Sequence, residues 1–426
     1  MYTLEDWVRH GDELRRPLLV SEGLVDSESL GIVGGGLSGL SLAYRIGLER
    51  PDLPIKLIEK TGRLGGVIET WREDEWVCDI SVNAVRPHPS FWRLVDDLGM
   101  SDSFGPSRGI ASSRWIILRG GKHRISPATI LKIGAFGFLR GAFNSRKVGS
   151  SVLDVLQNRE IADAMTLGIV NDTADQVDAN FLFPSLTGFG PKAPISRRSL
   201  QKKISKSYPI FTPRKGSLAS LEGGMEDIIR VLHDTISKMG NIEIILENGE
   251  GGPEELSSAY DIPISSMIWT SSLPGRDHGE TTLSVFAVGF QEEEVSGVEI
   301  GYGTLIPDPN TPISGILHES DIHSSRRAPE GHRLFRLMVP HTRWDGNEQT
   351  VREALRGLNG FSREPAIFRR IGERAIPRYP PGYLSSLKNY AGDLSLAGWT
   401  GSGVSVTHVV DEAERISELF TREQKD

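Results

Sequence analysis

The sequence has one cysteine, Cys78, among its 426 residues. A single cysteine excludes an intramolecular disulfide and a cysteine-rich zinc site. It is also typical of a reducing compartment, so we expect a cytoplasmic location. The histidines and acids show no metal-ligand spacing, and no metal is expected. The chain also lacks a Ser-His-Asp order with a nucleophile elbow, which argues against a hydrolase of that type.

Long apolar runs and an excess of cations are also missing. No run reaches the ~18 apolar residues that suggest a transmembrane helix, and the formal net charge of -8 argues against a nucleic-acid partner. Residues 1–28 include several acids and do not resemble a signal or transit peptide. We expect them to form a leader that packs on the surface or is partly mobile.

Residues 128–143 are the nearest candidate for contact with a membrane. Two interpretations of this apolar segment are open: a helix that makes a weak contact with a membrane surface, and a core helix that covers a substrate pocket. Lys132 and Arg140 interrupt the segment and favour the core helix.

A glycine fingerprint stands out near the start of the chain. The apolar run 30–33 predicts a strand, Gly34-x-Gly36-x-x-Gly39 predicts a tight turn, and residues 40–46 have helical spacing. Gly34 permits the turn, Gly36 lets a pyrophosphate approach the backbone, and Gly39 lets helix and strand pack closely. This order is typical of a dinucleotide-binding unit.

The second half of this unit is also present. Leu37 and Ser38 open the predicted helix, whose free N–H groups favour an anion. Residues 55–58 predict the next strand, and Glu59 follows it, 20 residues after Gly39. An acid at this place accepts hydrogen bonds from a ribose diol.

A second glycine-rich loop follows Glu59 directly and contains Lys60, Arg63, Gly65 and Gly66. Together with the fingerprint, Arg63-x-Gly65-Gly66 resembles the N-terminal signature of the flavin amine oxidase superfamily, whose members bind FAD. The resemblance implies that this loop lines the pyrophosphate and the flavin. Covalent attachment through a C-terminal cysteine is excluded, so FAD is expected to bind non-covalently.

A third glycine-rich stretch, residues 397–406, predicts a strand end, a turn and the start of the last helix. A helix start presents N–H groups and a positive dipole end, which would stabilise negative charge on a reduced flavin. We expect six residues of this stretch to bind the cofactor: Gly398, Trp399, Gly403, Val404, Ser405 and Val406.

Residues 114–127, 375–384 and 403–406 narrow the resemblance to the protoporphyrinogen oxidase branch. The resemblance implies that an arginine near the flavin holds a substrate carboxylate through a bidentate pair. Arg114 is the best match, with a solvated strand-end arginine as the alternative.

Departures from the branch lie in the loop expected beside the flavin. Ser81 and Val82 replace a Gly-Pro pair there, and Asn83 stands where an arginine is common. The chain therefore looks like a trimmed relative that acts on a different, smaller substrate. Asn83 and His408 are the candidates for a catalytic role. For His408 the alternative to a base is a capping or packing histidine.

Predicted strands near residues 30, 57, 244, 268 and 396 are far apart in the chain. We therefore expect an α/β fold: a FAD-binding Rossmann-like (two-dinucleotide-binding-domain) fold with an inserted mixed-sheet substrate domain and a helical lobe. The glycine-rich segment 247–258 is expected to be a loop. The predicted parts are leader 1–28, FAD-binding 29–107, substrate-domain hairpin 108–125, helical lobe 126–215, FAD-binding 216–275, substrate domain 276–385 and FAD-binding 386–426.

These features predict a FAD-dependent oxidoreductase that oxidises a conjugated or nitrogen-containing small molecule in specialised metabolism. Hydride would pass to flavin N5, and O2 is the expected electron acceptor. Three alternatives are open: protoporphyrinogen oxidase of haem biosynthesis, a redox-neutral isomerase or cyclase that retains FAD, and a scaffold that has lost catalysis and docks to a membrane through 128–143. Monomer and homodimer are both compatible with the sequence.

Overall fold

The structure is a computed structural model of the chain. It describes residues 2–86, 88–118, 121–126, 141, 144–145, 147, 149–187, 189–208, 218–271, 279–387 and 392–422. Apart from residue 141, the apolar segment 128–143 lies outside the described residues.

Short strands dominate the first and last parts of the chain. The strands are β1 Leu30–Val33, β2 Ile55–Ile58, β3 Thr70–Glu73, β4 Trp76–Asp79, β5 Phe104–Pro106, β6 Arg114–Leu118, β7 Gly121–Arg124, β8 Ala219–Leu221, β9 Ile242–Ile245, β10 Met267–Trp269, β11 Glu280–Gln291, β12 Gly303–Leu305, β13 Gly315–Leu317, β14 His332–Pro340, β15 Ile367–Pro377 and β16 Ser395–Leu396.

The helices range from single turns to the long final helix. They are α1 Leu4–His10, α2 Leu37–Glu49, α3 Pro89–Asp97, α4 Val152–Leu156, α5 Arg159–Val170, α6 Ala179–Leu182, α7 Pro184–Thr187, α8 Arg197–Ser207, α9 Glu226–Ile236, α10 Pro253–Tyr260, α11 Glu319–Ile322, α12 Glu348–Arg356, α13 Tyr383–Leu387, α14 Trp399–Ser402 and α15 Val406–Arg422.

A five-stranded parallel sheet of order β16-β10-β1-β2-β9 forms the first layer. Ile32 of β1 lies level with Leu57 of β2 and Ile268 of β10, and all three are fully buried. Such continuous apolar strands need helices on both faces of the sheet. Helix α2 packs against α15 and α9 over this core. The predicted α/β arrangement, with a sheet assembled from distant segments, is confirmed.

A seven-stranded mixed sheet of order β15-β11-β14-β13-β12-β6-β7 forms the second unit. Its centre is the long strand β11, antiparallel to both β14 and β15, with a register shift between Val285 and Phe286. The predicted hairpin at 114–125 supplies the edge strands β6 and β7, which pair through Leu118 and Gly121. Helices α4–α8 follow this hairpin, as predicted for a helical lobe.

The leader is incorporated more deeply than a surface segment. Trp7 and Leu14 are 1% and 2% exposed and pack against Leu200 of α8. Leu19 forms an antiparallel bridge with Leu396, so the leader continues the parallel sheet beyond β16. Glu13 of the leader pairs with His408 of α15 and Asp12 with Arg197 of α8, while Trp7, Leu14, Leu19 and Leu24 are buried.

The predicted loop at 247–258 is wrong from Pro253 onward, because α10 begins there. Pro253 occupies the first helical turn, and the Glu255 carboxylate accepts a hydrogen bond from the Gly252 N–H at 3.1 Å. Proline at a helix start and an acid two residues later are helix-start signals. The neighbouring glycines obscured them.

Among the described residues, no helix is long and apolar enough to cross a membrane.

A buried ion pair joins the leader to the last helix. His10 Nδ1 lies 3.0 Å from Asp411, and Nε2 lies 3.2 Å from Glu418. Burial lowers the pKa of His10, but its hydrogen bonds and charge interactions with these two acids outweigh burial and raise the pKa from 6.5 to about 9. The folded state therefore holds this proton more tightly than the unfolded chain does.

We expect the stabilisation from His10 to be complete below pH ~6.5 and to disappear as the pH rises through ~9. The free energy of unfolding should fall by roughly 3 kcal/mol across this window in the wild type. In His10→Gln the free energy of unfolding should be lower than in the wild type at pH ~6.5, and it should change little up to pH ~9. Urea unfolding at several pH values measures the difference. Parallel pH profiles for the two proteins would contradict the assignment.

Candidate functional site

The carboxyl ends of β1, β2, β10 and β16 meet at one edge of the parallel sheet, and the predicted site lies there. Gly34 follows β1 with φ +109°, a conformation that favours glycine. The Thr270 N–H donates to the Val33 carbonyl at 2.8 Å, and its hydroxyl donates to the Gly34 carbonyl at 3.1 Å. The end of β10 thus holds the fingerprint turn in place.

The first two glycine-rich loops touch each other through their backbones. The Gly65 N–H donates to the Gly35 carbonyl at 2.8 Å. A Cβ at Gly66 would lie 3.2 Å from Gly36 Cα, tighter than ordinary van der Waals contact. A side chain at Gly66 would push the loops apart, and its φ of +56° also favours glycine.

The third glycine-rich stretch reaches the same place. Gly398 has φ +72°, and a Cβ there would lie 3.0 Å from the Thr270 carbonyl and 3.1 Å from Ser38 Oγ. Ser38 is 7% exposed, and its hydroxyl has no hydrogen-bond partner among the described residues. The three predicted segments therefore meet at the fingerprint turn and the start of α2, where the Ser38 hydroxyl is unused.

Glu59 lies at the end of β2, as predicted, and is 8% exposed. One carboxylate oxygen accepts from the Gly35 N–H at 2.6 Å, and the other accepts from the Thr61 N–H and hydroxyl at 2.9 and 2.8 Å. Each carboxylate oxygen has two lone pairs. The oxygen bound to Gly35 thus retains capacity for a ligand hydroxyl.

The two cations of the second loop differ in their contacts. Lys60 is exposed. The Arg63 guanidinium donates to the carbonyls of Leu64 and Ile68 at 3.1 and 3.2 Å. Arg63 therefore fixes the shape of its own loop.

A glycine turn precedes the start of α15. Gly403 has φ +75° and packs against the Phe181 ring, so a side chain would not fit. Val404 and Ser405 are half-buried, and α15 begins at Val406. Trp399 opens α14, and its carbonyl accepts a hydrogen bond from the Tyr379 hydroxyl at 3.0 Å.

His408 faces the leader. Its Nε2 lies 2.9 Å from the Glu13 carboxylate. Burial raises the pKa of Glu13, but the charges of His408 and Arg16 outweigh burial and lower the pKa to about 2. This ion pair ties the first turn of α15 to the leader, and it leaves His408 committed to a structural contact.

Arg114 and Asn83, selected separately from the sequence, are joined by Tyr302. The Arg114 guanidinium lies 4.6 Å from the centre of the Tyr302 ring, within cation–π range. The Tyr302 hydroxyl donates to Asn83 Oδ1 at 3.5 Å, and Asn83 Nδ2 donates to Glu319 at the same distance. Asn83 is thus held between two partners rather than free to transfer a proton.

Arginines of the mixed sheet hold the altered loop 79–83. Arg374 donates to the Ser81 hydroxyl at 2.7 Å, and Arg336 donates to the carbonyls of Asp79 and Ser81. Arg336 also pairs with the fully buried Glu319 at 3.0 Å. Burial raises the pKa of Glu319, but Arg336 and His323 lower it to about 2. The loop 79–83, which has Ser81 and Val82 in place of Gly-Pro, is therefore fixed by the hydrogen bonds of Arg374 and Arg336 to Ser81 and Asp79.

Sequence analysis missed Tyr302, Glu319 and Glu412. Glu412 accepts a hydrogen bond from the Gly398 N–H at 2.6 Å. None of the three belongs to a local motif. Their contact partners are far away in the chain or on the opposite side of a turn. The spacing of residues in the sequence therefore does not predict these contacts.

Comparison with known proteins agrees with this geometry. The NAD(P)-binding Rossmann-like domain family matches residues 32–98. Coproporphyrinogen III oxidase of Staphylococcus aureus is 21% identical, with 85% of this chain and 91% of the relative covered. Protoporphyrinogen oxidase 2 of Arabidopsis thaliana is 23% identical, covering 85% of this chain and 87% of the relative.

Solved structures share the fold over almost the whole chain. A protein of Exiguobacterium sp. 255-15 provisionally named protoporphyrinogen oxidase has a TM-score of 0.66 at 18% identity, covering 93% and 99% of the two chains. Cyclohexylamine oxidase of Brevibacterium oxydans gives 0.60 at 13%, covering 94% and 100%. Reduced UDP-galactopyranose mutase gives 0.59 at 12%, covering 92% and 96%. The resemblance to the flavin amine oxidase superfamily, on its protoporphyrinogen oxidase side, is confirmed.

The fingerprint glycines differ in what they tolerate, which gives a matched pair of variants. A Cβ at Gly39 would overlap the Gly34 carbonyl oxygen, whereas a Cβ at Gly36 meets only Gly66 Cα at 3.8 Å. We expect Gly39→Ala to lower the free energy of unfolding by about 3 kcal/mol or more. Gly36→Ala should change it by less than ~1 kcal/mol. Urea unfolding measures both, and equal losses would contradict the geometry.

Proposed function

We propose that the chain is a FAD-dependent oxidoreductase that binds FAD non-covalently at the carboxyl edge of the parallel sheet. The observation that carries this proposal is the meeting of the three glycine-rich segments at the fingerprint turn and the start of α2, where the Ser38 hydroxyl is unused. Bound FAD supplies a hydride acceptor. The chain itself binds the cofactor, orients the substrate and excludes water.

The residues present suit each part of this cofactor. The free N–H groups at the start of α2, together with the Ser38 hydroxyl, are donors for a pyrophosphate. Glu59 retains lone pairs for a ribose diol. The start of α15 offers N–H groups where negative charge would develop on reduction. Bare backbone at Gly36 and Gly66 leaves room for a close approach.

The proposed substrate is a conjugated or nitrogen-containing small molecule with a carboxylate, in specialised metabolism. The contact of Arg114 with the Tyr302 ring, and the hydrogen bond of Tyr302 with Asn83, support a proposed substrate site beside these residues. The proposal also includes O2 as electron acceptor, a cytoplasmic location, and a monomer or homodimer. Contact with a membrane surface through 128–143 remains a weaker part of it.

Oxidation of a porphyrinogen in haem biosynthesis is the second candidate. It is favoured by the two relatives named for protoporphyrinogen and coproporphyrinogen, each of which matches 85% of the chain. The altered loop at Ser81–Asn83 speaks against it. A redox-neutral isomerase or cyclase is a third candidate, because the fold is shared with UDP-galactopyranose mutase. A scaffold without catalysis would bind no substrate beside the cofactor.

The visible spectrum of the purified protein tests the proposal. Flavin bands that bleach anaerobically with a substrate would support the oxidase. A series of carboxylate-bearing amines, together with the two porphyrinogens, separates the first two candidates. Flavin that never bleaches while product forms would indicate the redox-neutral reaction. A colourless protein that takes up no added FAD would overturn the proposal.

A valine at Gly36 should separate folding from cofactor binding. The open space at Gly36 accepts a small side chain, but a branched one would occupy the approach to the backbone. We expect Gly36→Val to weaken FAD binding by roughly 100-fold or more while the protein still unfolds cooperatively. Fluorescence titration of apoprotein with FAD measures this, and Gly36→Ala is the matched control. Unchanged affinity in the valine variant would place the cofactor elsewhere.

Arg114→Met tests the substrate anchor. Loss of a charge-assisted pair should raise KM for a carboxylate substrate roughly 10-fold or more with little change in kcat. Arg108→Met is a control, because Arg108 is an exposed arginine nearby whose guanidinium donates to the Ser320 carbonyl at 3.3 Å. If Arg114→Met leaves KM unchanged, the arginine is a solvated strand-end residue.

A further inference from the structure

Glu412 is a buried acid that contacts the cofactor turn directly. It lies in α15 and is 3% exposed. One carboxylate oxygen accepts the Gly398 N–H at 2.6 Å, and the other lies against Gly401, where a Cβ would overlap it. The carboxylate therefore contacts two glycines, Gly398 and Gly401, of the short segment that joins β16 to α15.

The cations near Glu412 are committed to other groups. Arg16 lies 3.4 Å from the Glu13 carboxylate and donates to the Phe181 carbonyl at 2.6 Å. Arg415 donates to the carbonyls of Glu13 and Arg16 at 2.9 and 3.0 Å. Both act on Glu412 through charge at a distance. Tyr379 also interacts with Glu412 through charge and is itself buried.

Among the described residues, Glu412 has no close ion pair of the kind that Glu13, Glu319 and Glu414 make. Burial raises the pKa of Glu412 most strongly. The Gly398 N–H, the Ser402 hydroxyl and the charges of Arg415 and Arg16 lower it, and the net pKa is about 7. Both protonation states are therefore populated near neutral pH.

We propose that Glu412 is a positioning residue that shapes the Gly398 turn and, through its ionisation, makes the reduction potential of the bound flavin depend on pH. The inference rests on the proposed binding of FAD at this turn. Ionised Glu412 adds a negative charge beside a site where reduction also adds negative charge, so it disfavours reduction. Protonated Glu412 keeps the contact with Gly398 without that charge.

Glu412→Gln separates the two roles of the side chain. Its amide oxygen still accepts from the Gly398 N–H, but the amide cannot ionise. We expect wild type and variant to have the same flavin potential at about pH 5.5, where Glu412 is protonated. As the pH rises through ~7, the variant potential should become more positive than that of the wild type.

Glu414→Gln is the matched control. Glu414 is also a buried acid of α15, but its carboxylate pairs with Arg93 at 2.8 Å. We expect the difference in flavin potential between the wild type and Glu414→Gln to stay constant as the pH passes through neutrality. Redox titration of the holoproteins against dyes of known potential measures all three. The inference would be overturned if the flavin potentials of wild type and Glu412→Gln differed by the same amount at every pH. That result would show that Glu412 has a structural role alone.

A measurement on the wild type guards against a variant that fails to fold. Because a bound anionic cofactor disfavours the ionised carboxylate, FAD binding should drive proton uptake near neutral pH. Titration calorimetry of apoprotein with FAD in buffers of different ionisation enthalpy detects this uptake. FAD binding without proton uptake would contradict the inference and leave the proposed function intact. Absence of FAD binding would contradict the proposed function itself.

Discussion

Backbone contact between the two N-terminal glycine loops is the constraint on which the site depends. The Gly65 N–H reaches the Gly35 carbonyl at 2.8 Å, and Glu59 accepts the Gly35 N–H at 2.6 Å. These bonds fix the second loop and the acid at the end of β2 relative to the start of α2. The donors and acceptors proposed to bind the cofactor are therefore set in place by the folded chain before any ligand arrives.

Buried charged groups fix the mixed sheet against β4 and the loop that follows it. Arg336 pairs with Glu319 at 3.0 Å, and Arg327 lies 3.5 Å from Asp79, with all four side chains almost fully buried. Buried ion pairs contribute little net stability, because desolvation offsets their attraction, but removing one partner is costly. They select one relative placement of the sheets. That placement brings Tyr302 of the mixed sheet against Asn83 of the cofactor unit.

Local sequence patterns predict most of the fold and part of the site. The strands of the parallel sheet are apolar runs that end in glycine or polar turns, and each is visible without its neighbours. Arg114 and Asn83 were identifiable, but their link through Tyr302 was not, because residue 302 approaches them only in the folded sheet. Glu412 shows the same limit: its partner Gly398 lies across a turn and a helix start. Helix α10 was not predicted, because the glycines before Pro253 indicate a loop more strongly than Pro253 and Glu255 indicate a helix start.

The leader's bridge to the last strand has a consequence for how the chain acquires its structure. Leu19 pairs with Leu396, and β1 pairs with β10, whose residues lie more than 200 positions further along the chain. On a ribosome that synthesises the chain from its N-terminus, β1 and β2 can pair with each other early. Their outer partners β10 and β9 follow only after more than half of the chain, and Leu396, the partner of the leader, follows later still. Apolar segments that must wait expose surface prone to aggregation. The order of synthesis therefore makes the nascent cofactor unit a natural client for chaperones.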